Sequence, residues 1–224
     1  MKKFLIIQAA ILVCAVVFGV AGKASFYDTG ISGIQSLEVA YNFSTPVYVK
    51  AIFTDENQTL FDSVDETLNQ KGQSSYVLVV HSTGKVNQEF FTLSQRVEVE
   101  KVIKGDQSMS GTTIDIYSLG FAYVPDMASG PTFYGECNLM KPGDEYLVFL
   151  DDMSINKYMD VPSYRFGDGN FGCLNLTRDS EEYLDATTPI QFGELKSMEY
   201  FADSQKVLQQ INLIKHKIIE KYDS

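Results

Sequence analysis

The fold is decided by the stretch VEVEKVIKGD, residues 97–106. Its valines and glutamates alternate over residues 97–100, which is the period-two pattern of a strand with one buried face and one solvent-exposed face. A second apolar pair at residues 102–103 continues the strand, and the Lys104-Gly105-Asp106 turn stops it. We therefore predict one long strand over residues 90–103.

Two more strands are predicted close to this one along the chain. Residues 76–80 form a continuous apolar run that ends at His81 and the turn-forming residues 82–85, which is typical of a buried strand that enters a turn. Residues 112–119 alternate between apolar and polar side chains. The Gly/Pro/Ser-rich residues 120–135 that follow are predicted to be irregular.

The remaining strands follow the turn KPGD at residues 141–144. Residues 145–150 are again apolar and predict a strand. Residues 164–166 and 172–176 are predicted to form a hairpin about the turn signal GDGN at residues 167–170. Short strands separated by turn chemistry are typical of a β-barrel or sandwich, so the predicted fold class is mainly β.

Residues 25–75 are predicted to form an N-terminal extension with a strand and a short helix. One strand is predicted there, starting at Val47 and ending at Phe53. A short helix is predicted over residues 59–70 because apolar residues recur at helical spacing. These residues are Leu60, Phe61, Val64 and Leu68.

The C-terminus, residues 203–224, switches to the period of a helix. Its apolar residues recur at i, i+4, i+7 and i+11: Val207, Ile211, Ile214 and Ile218. Asp203 or Ser204 is placed to cap the start, and lysines lie near the end, where the helix dipole favours cations. The pattern predicts an amphipathic helix docked on the strands. Binding to a membrane surface is the alternative, which the acidic Glu220 and Asp223 disfavour.

The N-terminus has the pattern of an export signal over residues 1–24. Two lysines at residues 2–3 precede an apolar run that starts at Phe4 and ends at Gly22. This run exceeds the roughly 7–15 residues of an ordinary signal core and reaches the roughly 18 that span a bilayer. Cleavage before Ser25 and retention as a membrane anchor therefore both stay open. Both outcomes place the rest of the chain on the extracytoplasmic side.

Composition excludes one class of partner. The chain has 224 residues, and those after the signal are enough for one domain with a core plus an ordered extension. Residues 25–224 carry 15 basic and 29 acidic side chains, a formal charge of −14. This charge repels phosphate polymers, so nucleic acid is excluded as a partner. It favours solubility or a cationic partner.

Cys137 and Cys173 are the only thiols of the predicted exported part. In an oxidising compartment an even pair of cysteines can close a disulfide, here over a loop of 36 residues. The alternative is that both remain as buried thiols. The sequence leaves these two outcomes open.

Two segments together resemble a known family. They are VEVEKVIKGD at residues 97–106 and LMKPGDEYLVFL at residues 139–150. A strand, a second strand and a turn of this kind resemble the bacterial exported domains related to the tissue inhibitors of metalloproteinases and the netrin module. The resemblance covers residues 76–150 and implies an OB-fold barrel with helices packed against it. The inhibitors use an N-terminal Cys-x-Cys wedge to coordinate the protease zinc, and residues 25–224 contain no such pair, so the resemblance implies the fold and not that activity.

The resemblance also implies a kind of ligand. OB folds commonly bind oligonucleotides or oligosaccharides on one face of the barrel. The acidic balance of this chain favours a saccharide. If they are exposed, Tyr117, Tyr123 and Tyr134 could stack on sugar rings, and the alternative is that they pack in the core.

Common catalytic and metal-binding patterns are missing from the sequence. His81 and His216 are its only histidines, and no His-Glu-x-x-His, Cys-x-x-Cys or Gly-x-Ser-x-Gly spacing occurs. We therefore predict no catalytic residue, no metal site and no cofactor. The enzyme alternative is a sortase-like cysteine transpeptidase, with His81 as the base, Cys137 or Cys173 as the nucleophile and Arg165 as the oxyanion partner.

The sequence thus predicts an exported, cell-envelope-associated and non-catalytic binding module. Its domain is an OB-like β-barrel over residues 76–202, with the helix at 203–224 packed on it. The predicted partner is a protein or saccharide of the cell envelope, and residues 4–22 provide a route to membrane association. A sortase-like enzyme and a protease-inhibitor-like protein are the alternatives.

Overall fold

The structure is a computed structural model of the chain. It describes residues 12, 14–16, 18, 34–42, 46–49, 53–54, 64–89, 92–119, 121–123, 131–133, 137–152, 161–167, 171–184 and 190–222. The chain divides into two units, Met1–Ile31 and Ser32–Ser224. The described residues of the first unit are helical, and the rest of the predicted export segment lies outside the described residues. Among the described residues, no helix combines the length and the apolar character needed to span a membrane.

The described part of the second unit contains three α-helices and ten strands. The helices are α1 (Leu37–Tyr41), α2 (Val64–Gln73) and α3 (Gln205–Tyr222). The strands are β1 (Pro46–Val49), β2 (Tyr76–Glu89), β3 (Thr92–Lys104), β4 (Thr113–Leu119), β5 (Phe121–Tyr123), β6 (Pro131–Phe133), β7 (Glu145–Asp152), β8 (Ser163–Phe166), β9 (Cys173–Asn175) and β10 (Ile190–Gln191). Short 3₁₀ helices cover Gln107–Met109 and Phe192–Ser197. The prediction of a mainly β fold with a C-terminal helix is confirmed.

The strands form two sheets. A four-stranded sheet has the order β10-β1-β6-β5, and a six-stranded sheet has the order β2-β3-β4-β8-β7-β9. β5 and β6 fall within residues 120–135, where the prediction of irregular structure was wrong. These residues gain their strand conformation by pairing with each other and with β1, which is distant in the sequence and not visible in the local composition.

The pairings of the larger sheet form a circuit of five strands that begins and ends at β2. β2 pairs antiparallel with β3, and β3 pairs antiparallel with β4. β4 then pairs in parallel with β8, β8 pairs antiparallel with β7, and β7 pairs antiparallel with β2. Each of these five strands therefore has hydrogen-bonded neighbours on both edges.

β2 and β7 bury side chains on both faces, which explains why their sequences are continuously apolar. On the inner side they join the other strands of the circuit in one core cluster, with Leu78, Val80, Val97, Val99, Ile114, Ile116, Val148 and Leu150. On the outer side, α3 adds its apolar stripe to Val77, Leu147 and Phe149 through Val207, Ile211, Ile214 and Ile218. The predicted docking of the C-terminal helix is confirmed. Its start is capped by Ser204, whose Oγ accepts a hydrogen bond from Val207 N at 3.4 Å.

The predicted turn after the long strand β3 is also confirmed. Gly105 has φ = +118°, in the region that favours glycine. A Cβ at this position would lie 2.5 Å from Cδ1 of Tyr76, so the glycine also allows the ring at the start of β2 to approach. Lys104 Nζ donates to Ser74 O at 2.7 Å. Together these contacts tie the end of β3 to the start of β2.

β2 continues through residues 82–85, where the prediction of a turn was wrong. Its pairing with β3 resumes at Val86 with two extra residues accommodated in β2, which is a bulge and not a reversal of the chain. Gly84 has φ = +78° within the bulge. The hydroxyl of Thr83 donates to Arg96 O at 2.8 Å. Residues 82–85 therefore form hydrogen bonds within the bulge, and β2 pairs with β3 on both sides of it.

The predicted hairpin about residues 167–170 was wrong as well. Among the described pairings, β8 and β9 both bond to β7, with β8 beside residues 150–152 and β9 beside residues 146–148. Between them, Gly167 N donates to Phe149 O at 2.9 Å and Phe149 N donates to Gly172 O at 3.0 Å. β8 and β9 therefore both lie along β7 and do not pair with each other as a hairpin would. Residues 168–170 of the predicted turn lie outside the described residues.

The N-terminal extension follows its prediction in part. α2 confirms the predicted helix over residues 64–70 and runs on to Gln73, while residues 59–63 lie outside the described part of the chain. Val64 and Leu68 pack against the outer core cluster, as their spacing predicts. The predicted strand at residues 47–53 is present as β1 and as an isolated bridge from Phe53 to Ala202, and residues 50–52 are outside the described part.

Candidate functional site

The outer face of the larger sheet carries a cluster of one imidazole and two carboxylates. His81 lies on β2, Glu100 on β3 and Glu145 on β7, and the atoms that they could offer as ligands all lie within 4.8 Å of one another. His81 Nε2 is hydrogen-bonded to Glu100 Oε2 and lies 3.8 Å from Glu145 Oε1. The side chains are partly exposed, 38% for His81, 49% for Glu100 and 47% for Glu145. Solvent and solutes can therefore reach the cluster.

Strand register explains why His81 and Glu145 meet. The two residues are direct cross-strand partners in the antiparallel ladder of β2 and β7, and such partners have Cβ atoms about 4.5–5.5 Å apart. Alternation along β2 places His81 on the same face as Val77 and Val79, which belong to the core cluster beneath α3 or pack against it. The polar cluster thus continues the helix-bearing face of the sheet.

Glu100 reaches the cluster through a second bulge. β3 has one extra residue here, Glu100, between the two residues that pair with Val79 and Val80. Glu100 and the next residue, Lys101, are therefore both exposed instead of alternating. A bulge of this kind changes the direction of a side chain. Ser110 Oγ donates to Glu100 O at 3.1 Å and holds the backbone in this position.

The backbone of Glu145 is held by the segment that follows β9. Glu145 N donates to Thr177 Oγ1 at 3.2 Å, and Leu176 N donates to Glu145 O at 2.8 Å. The neighbouring Asp144 accepts hydrogen bonds from Arg178 and, at 3.0 Å, from Asn175 Nδ2. These contacts fix the start of β7, so the backbone position of Glu145 is set by the fold.

A largely buried ionic network lies behind the same turn. Glu199 Oε1 accepts from Lys141 Nζ at 3.0 Å and from Arg178 Nε at 3.2 Å. Lys141 N also donates to the hydroxyl of Tyr146 at 2.8 Å. Burial raises the pKa of Tyr146, and the charge of Glu199 raises it further, so the phenol stays protonated. The turn KPGDEY, residues 141–146, therefore has a structural role, since hydrogen bonds of its polar groups hold the start of β7 in place.

Cys137 and Cys173 lie side by side, and both are free thiols. Cys137 forms a β-bridge with Tyr200, whose hydroxyl donates to Cys173 O at 3.2 Å. The hydrogen bond with Cys137, together with burial, raises the pKa of Cys173 well above its ordinary value. A thiol with a raised pKa is protonated at neutral pH and is a poor nucleophile. The structure thus brings the predicted pair together without a bond between them.

The residues of the transpeptidase alternative lie in different environments. His81 is on the outer face of the sheet, whereas Cys173 belongs to the inner core cluster with Val80 and Val148. Arg165 lies on β8, and its Nη2 is 3.9 Å from Asp151 Oδ2. Of the predicted catalytic groups, only the two thiols share a site.

Of the three tyrosines considered for sugar stacking, the structure describes the side chain of Tyr117 alone. Tyr117 is only 8% exposed, so its side chain packs in the core, which is the alternative to sugar stacking. Both faces of β4 are covered over residues 114–117, which is why alternation did not expose it. The side chains of Tyr123 and Tyr134 lie outside the described residues.

The sequence points to His81 but not to its carboxylate partners. Glu100 is 19 residues from His81 and Glu145 is 64 residues away. In the sequence each glutamate is recognisable only as a charged residue at a solvent-facing position of a predicted strand. Which of these charged residues come together depends on the order of the strands in the sheet. Comparison with models of protein families and with curated proteins found no match for this chain.

The donor atoms determine what the cluster can do chemically. An imidazole nitrogen and two carboxylates can bind a cation, or they can persist as a hydrogen-bonded pair with a third group nearby. With a neutral imidazole, the cluster carries two negative charges. It therefore attracts cations and repels anions.

Proposed function

We propose that this chain is an exported, cell-envelope-associated binding module without catalytic activity, and that its domain is an OB-like barrel. The observation that carries this proposal is the circuit of five strands β2-β3-β4-β8-β7, in which β7 pairs back with β2. An OB fold is a five-stranded, partly open barrel of Greek-key topology. In chain order β4 and β8 are the third and fifth strands of this circuit, and they pair in parallel.

The enclosed apolar cluster supports the same proposal. Leu78, Val97, Ile114 and Val148 come from four strands of the circuit and share one core. A small barrel needs an interior filled by side chains in this way. The two segments that resemble the netrin-like family fall on β3 and β7, which flank β2 in this circuit.

The surroundings of the cysteines support a non-catalytic function. Cys173 is buried, its thiol pKa is raised, and it lies on the opposite face of the sheet from His81. A thiol nucleophile needs a base within hydrogen-bond reach and a lowered pKa. The geometry of this chain fits a core thiol better than a nucleophile.

The charged outer face of β3 supports a role in binding. Glu98, Glu100 and Lys101 are exposed there, and in OB folds the face built on the second and third strands binds ligands. Carboxylates accept hydrogen bonds from sugar hydroxyls and attract cationic protein surfaces. We therefore propose a protein or saccharide of the cell envelope as the partner, reached through the export signal at residues 1–24.

Site-specific photo-crosslinking in the producing cell tests this proposal. A photoreactive amino acid replaces Glu98 on the outer face of β3, and a matched variant carries it at Lys217, an exposed position of α3. We expect an envelope adduct from position 98 and not from position 217. Digestion of the adduct with a protease or a glycan hydrolase then identifies the class of partner.

Three outcomes would contradict the proposal. One is recovery of the protein in the cytosol only, which would remove the export step. Another is equal crosslinking from positions 98 and 217, which would mean that β3 is not the binding face. The third is alkylation of native Cys137 or Cys173 by iodoacetamide as fast as a free thiolate, which would restore the enzyme alternative.

A further inference from the structure

We propose that His81, Glu100 and Glu145 form a binding site for a divalent transition-metal ion. Three strands that are neighbours in the sheet each supply one ligand, and the ligand atoms lie within 4.8 Å of one another. The site does not depend on the proposed function, because it is argued from its own donor atoms.

The first argument is that the charges of the cluster are not balanced by its own hydrogen bond. His81 Nε2 can bond only one carboxylate, and that one is Glu100. Glu145 Oε1, at 3.8 Å from the same nitrogen, is too far away to share the bond. Two carboxylates therefore converge on one imidazole. A divalent cation neutralises both of them and takes Nε2 as a third ligand, for which the ring proton moves from Nε2 to Nδ1 through solvent or is released.

The second argument is geometric. Donor atoms on a tetrahedral Zn²⁺ lie about 3.3 Å apart, since each bond is about 2.0–2.1 Å long. In this cluster His81 Nε2 lies 3.8 Å from Glu145 Oε1, and all the ligand atoms lie within 4.8 Å of one another. The partly exposed glutamate side chains can rotate by the remaining amount. The backbone is held at Glu100 by Ser110 and at Glu145 by Thr177. Ligand binding thus requires side-chain adjustment and no movement of the strands.

The donor set favours transition metals over Mg²⁺ and Ca²⁺. Mg²⁺ and Ca²⁺ prefer sites built from oxygen alone, whereas an imidazole suits Zn²⁺, Cu²⁺ and Ni²⁺. Three protein ligands also leave at least one coordination position for water or for an atom of a partner. Such an open position on the outer face would let a bound metal contact another molecule.

The chain offers two matched controls. His216 is the only other histidine of the sequence, and its Nε2 lies 2.9 Å from a single carboxylate, Asp179, which also bonds Lys215. Glu98 is exposed and pairs directly with His81 in the β2–β3 ladder, but it is not part of the three-residue cluster. Changes at His216 or Glu98 remove a similar side chain without removing a proposed ligand.

Calorimetric titration of Zn²⁺ into the purified full chain tests the site. The protein is stripped of metal with a chelator and carries no histidine tag. We expect one Zn²⁺ per chain, loss of this binding in His81→Gln, and weakening of about 10-fold or more in Glu100→Gln and Glu145→Gln, since each removes one of three ligands. His216→Gln and Glu98→Gln should bind within about threefold of the natural chain, because an exposed side chain that is not a ligand contributes only a screened charge.

Two further readouts keep the result interpretable. Circular dichroism shows whether each variant is folded, and visible absorption of the Co²⁺ complex reports the coordination number and geometry of the bound ion, which should change in folded His81→Gln. The proposal is overturned if the natural chain takes up no stoichiometric Zn²⁺, if His81→Gln is folded and binds normally, or if millimolar Mg²⁺ displaces Zn²⁺ as an acidic patch would allow. It is also overturned if His216→Gln is the variant that loses binding.

Discussion

Arg96 on β3 and Asp115 on β4 form a buried ion pair between directly paired residues of neighbouring strands. Arg96 Nε lies 2.9 Å from Asp115 Oδ1, and Arg96 Nη2 lies 2.9 Å from Asp115 Oδ2. The Asp115 side chain is only 5% exposed. Both charges are therefore largely desolvated, and the two hydrogen bonds between them compensate part of that cost.

Breaking this pair on one side should be strongly destabilising. We expect Asp115→Ala to lower the free energy of unfolding by about 3–5 kcal/mol, because a desolvated guanidinium loses its carboxylate. The double variant Arg96→Met/Asp115→Leu should recover part of the loss, since no uncompensated charge remains. Urea denaturation of the natural chain and both variants measures the difference.

An exposed ion pair supplies the control at the same scale. Arg165 Nη2 lies 3.9 Å from Asp151 Oδ2, and the Arg165 side chain is 50% exposed. Arg165→Ala should therefore change the free energy of unfolding by less than about 1 kcal/mol. If Asp115→Ala and Arg165→Ala lower the free energy of unfolding equally, burial does not determine how much the Arg96–Asp115 pair contributes to stability.

At the scale of elements, α3 is held by one apolar stripe. The residues that the helical period predicts, Val207, Ile211, Ile214 and Ile218, are all buried in the outer core cluster. Leu213 lies on the same helix and is 57% exposed. The helix therefore offers a buried and an exposed aliphatic side chain two residues apart.

Truncation of these two side chains should have very different effects. We expect Ile211→Ala to lower the free energy of unfolding by about 2–5 kcal/mol, because it removes buried methylene groups and leaves a cavity. Leu213→Ala should stay within about 0.5 kcal/mol of the natural chain. Chemical denaturation followed by circular dichroism tests this, and similar values for the two variants would refute the docked arrangement of α3.

The residue just before β9 is the other feature of this scale. Phe171 has φ = +64°, which is unusual for a residue other than glycine, and its side chain is 1% exposed. Its ring centroid lies 5.4 Å from that of Phe53 and 6.1 Å from that of Tyr200. Burial of the ring among these aromatics offsets the cost of the strained backbone just before β9.

At the scale of the whole molecule, the two thiols offer a covalent link across the domain. A bond between Cys137 and Cys173 would join the segment before β7 to β9. Exchange with oxidised glutathione would form it, with two thiols losing their hydrogens and one glutathione disulfide being reduced to two thiols. The thiols are hydrogen-bonded, so the reaction needs little rearrangement.

We expect oxidation to stabilise the folded chain by about 3–4 kcal/mol, since the crosslink closes a loop of 36 residues in the unfolded state. Intact-mass analysis after alkylation measures the bond, and thermal denaturation with and without reductant measures its effect. A Cys14→Ser background removes the remaining thiol, and Cys137→Ser is the control that should show no dependence on reductant. Oxidised protein that carries only mixed disulfides with glutathione would contradict this prediction.

Local periodicity accounts for the parts of the fold that were predicted correctly. The alternation at residues 97–100 and the apolar runs at 76–80 and 145–150 correspond to β3, β2 and β7, and the C-terminal period corresponds to α3. Each of these signals states which side of an element is apolar, and that preference is a property of the segment itself.

Turn signals were less informative because a turn sequence can be used in more than one way. Residues 82–85 satisfy their local hydrogen bonds inside a bulge, and the strands on either side of residues 167–172, β8 and β9, pair with β7 instead of with each other. In both places pairing with a distant strand, β3 or β7, outweighed the local preference for a reversal.

The sequence by itself determined the strands β2, β3 and β7, the C-terminal helix and the acidic balance, because these depend on residues that are close together in the chain. Only the tertiary structure decided that His81, Glu100 and Glu145 share one face, that Cys137 meets Cys173, and that β7 pairs back with β2. The physical reason is that the spacing of apolar residues determines which face of a helix or strand is buried. It does not determine which other element pairs with that strand or packs on that face. Partners are selected by backbone hydrogen bonding and core packing between strands far apart in the sequence, so the candidate site exists only in the folded chain.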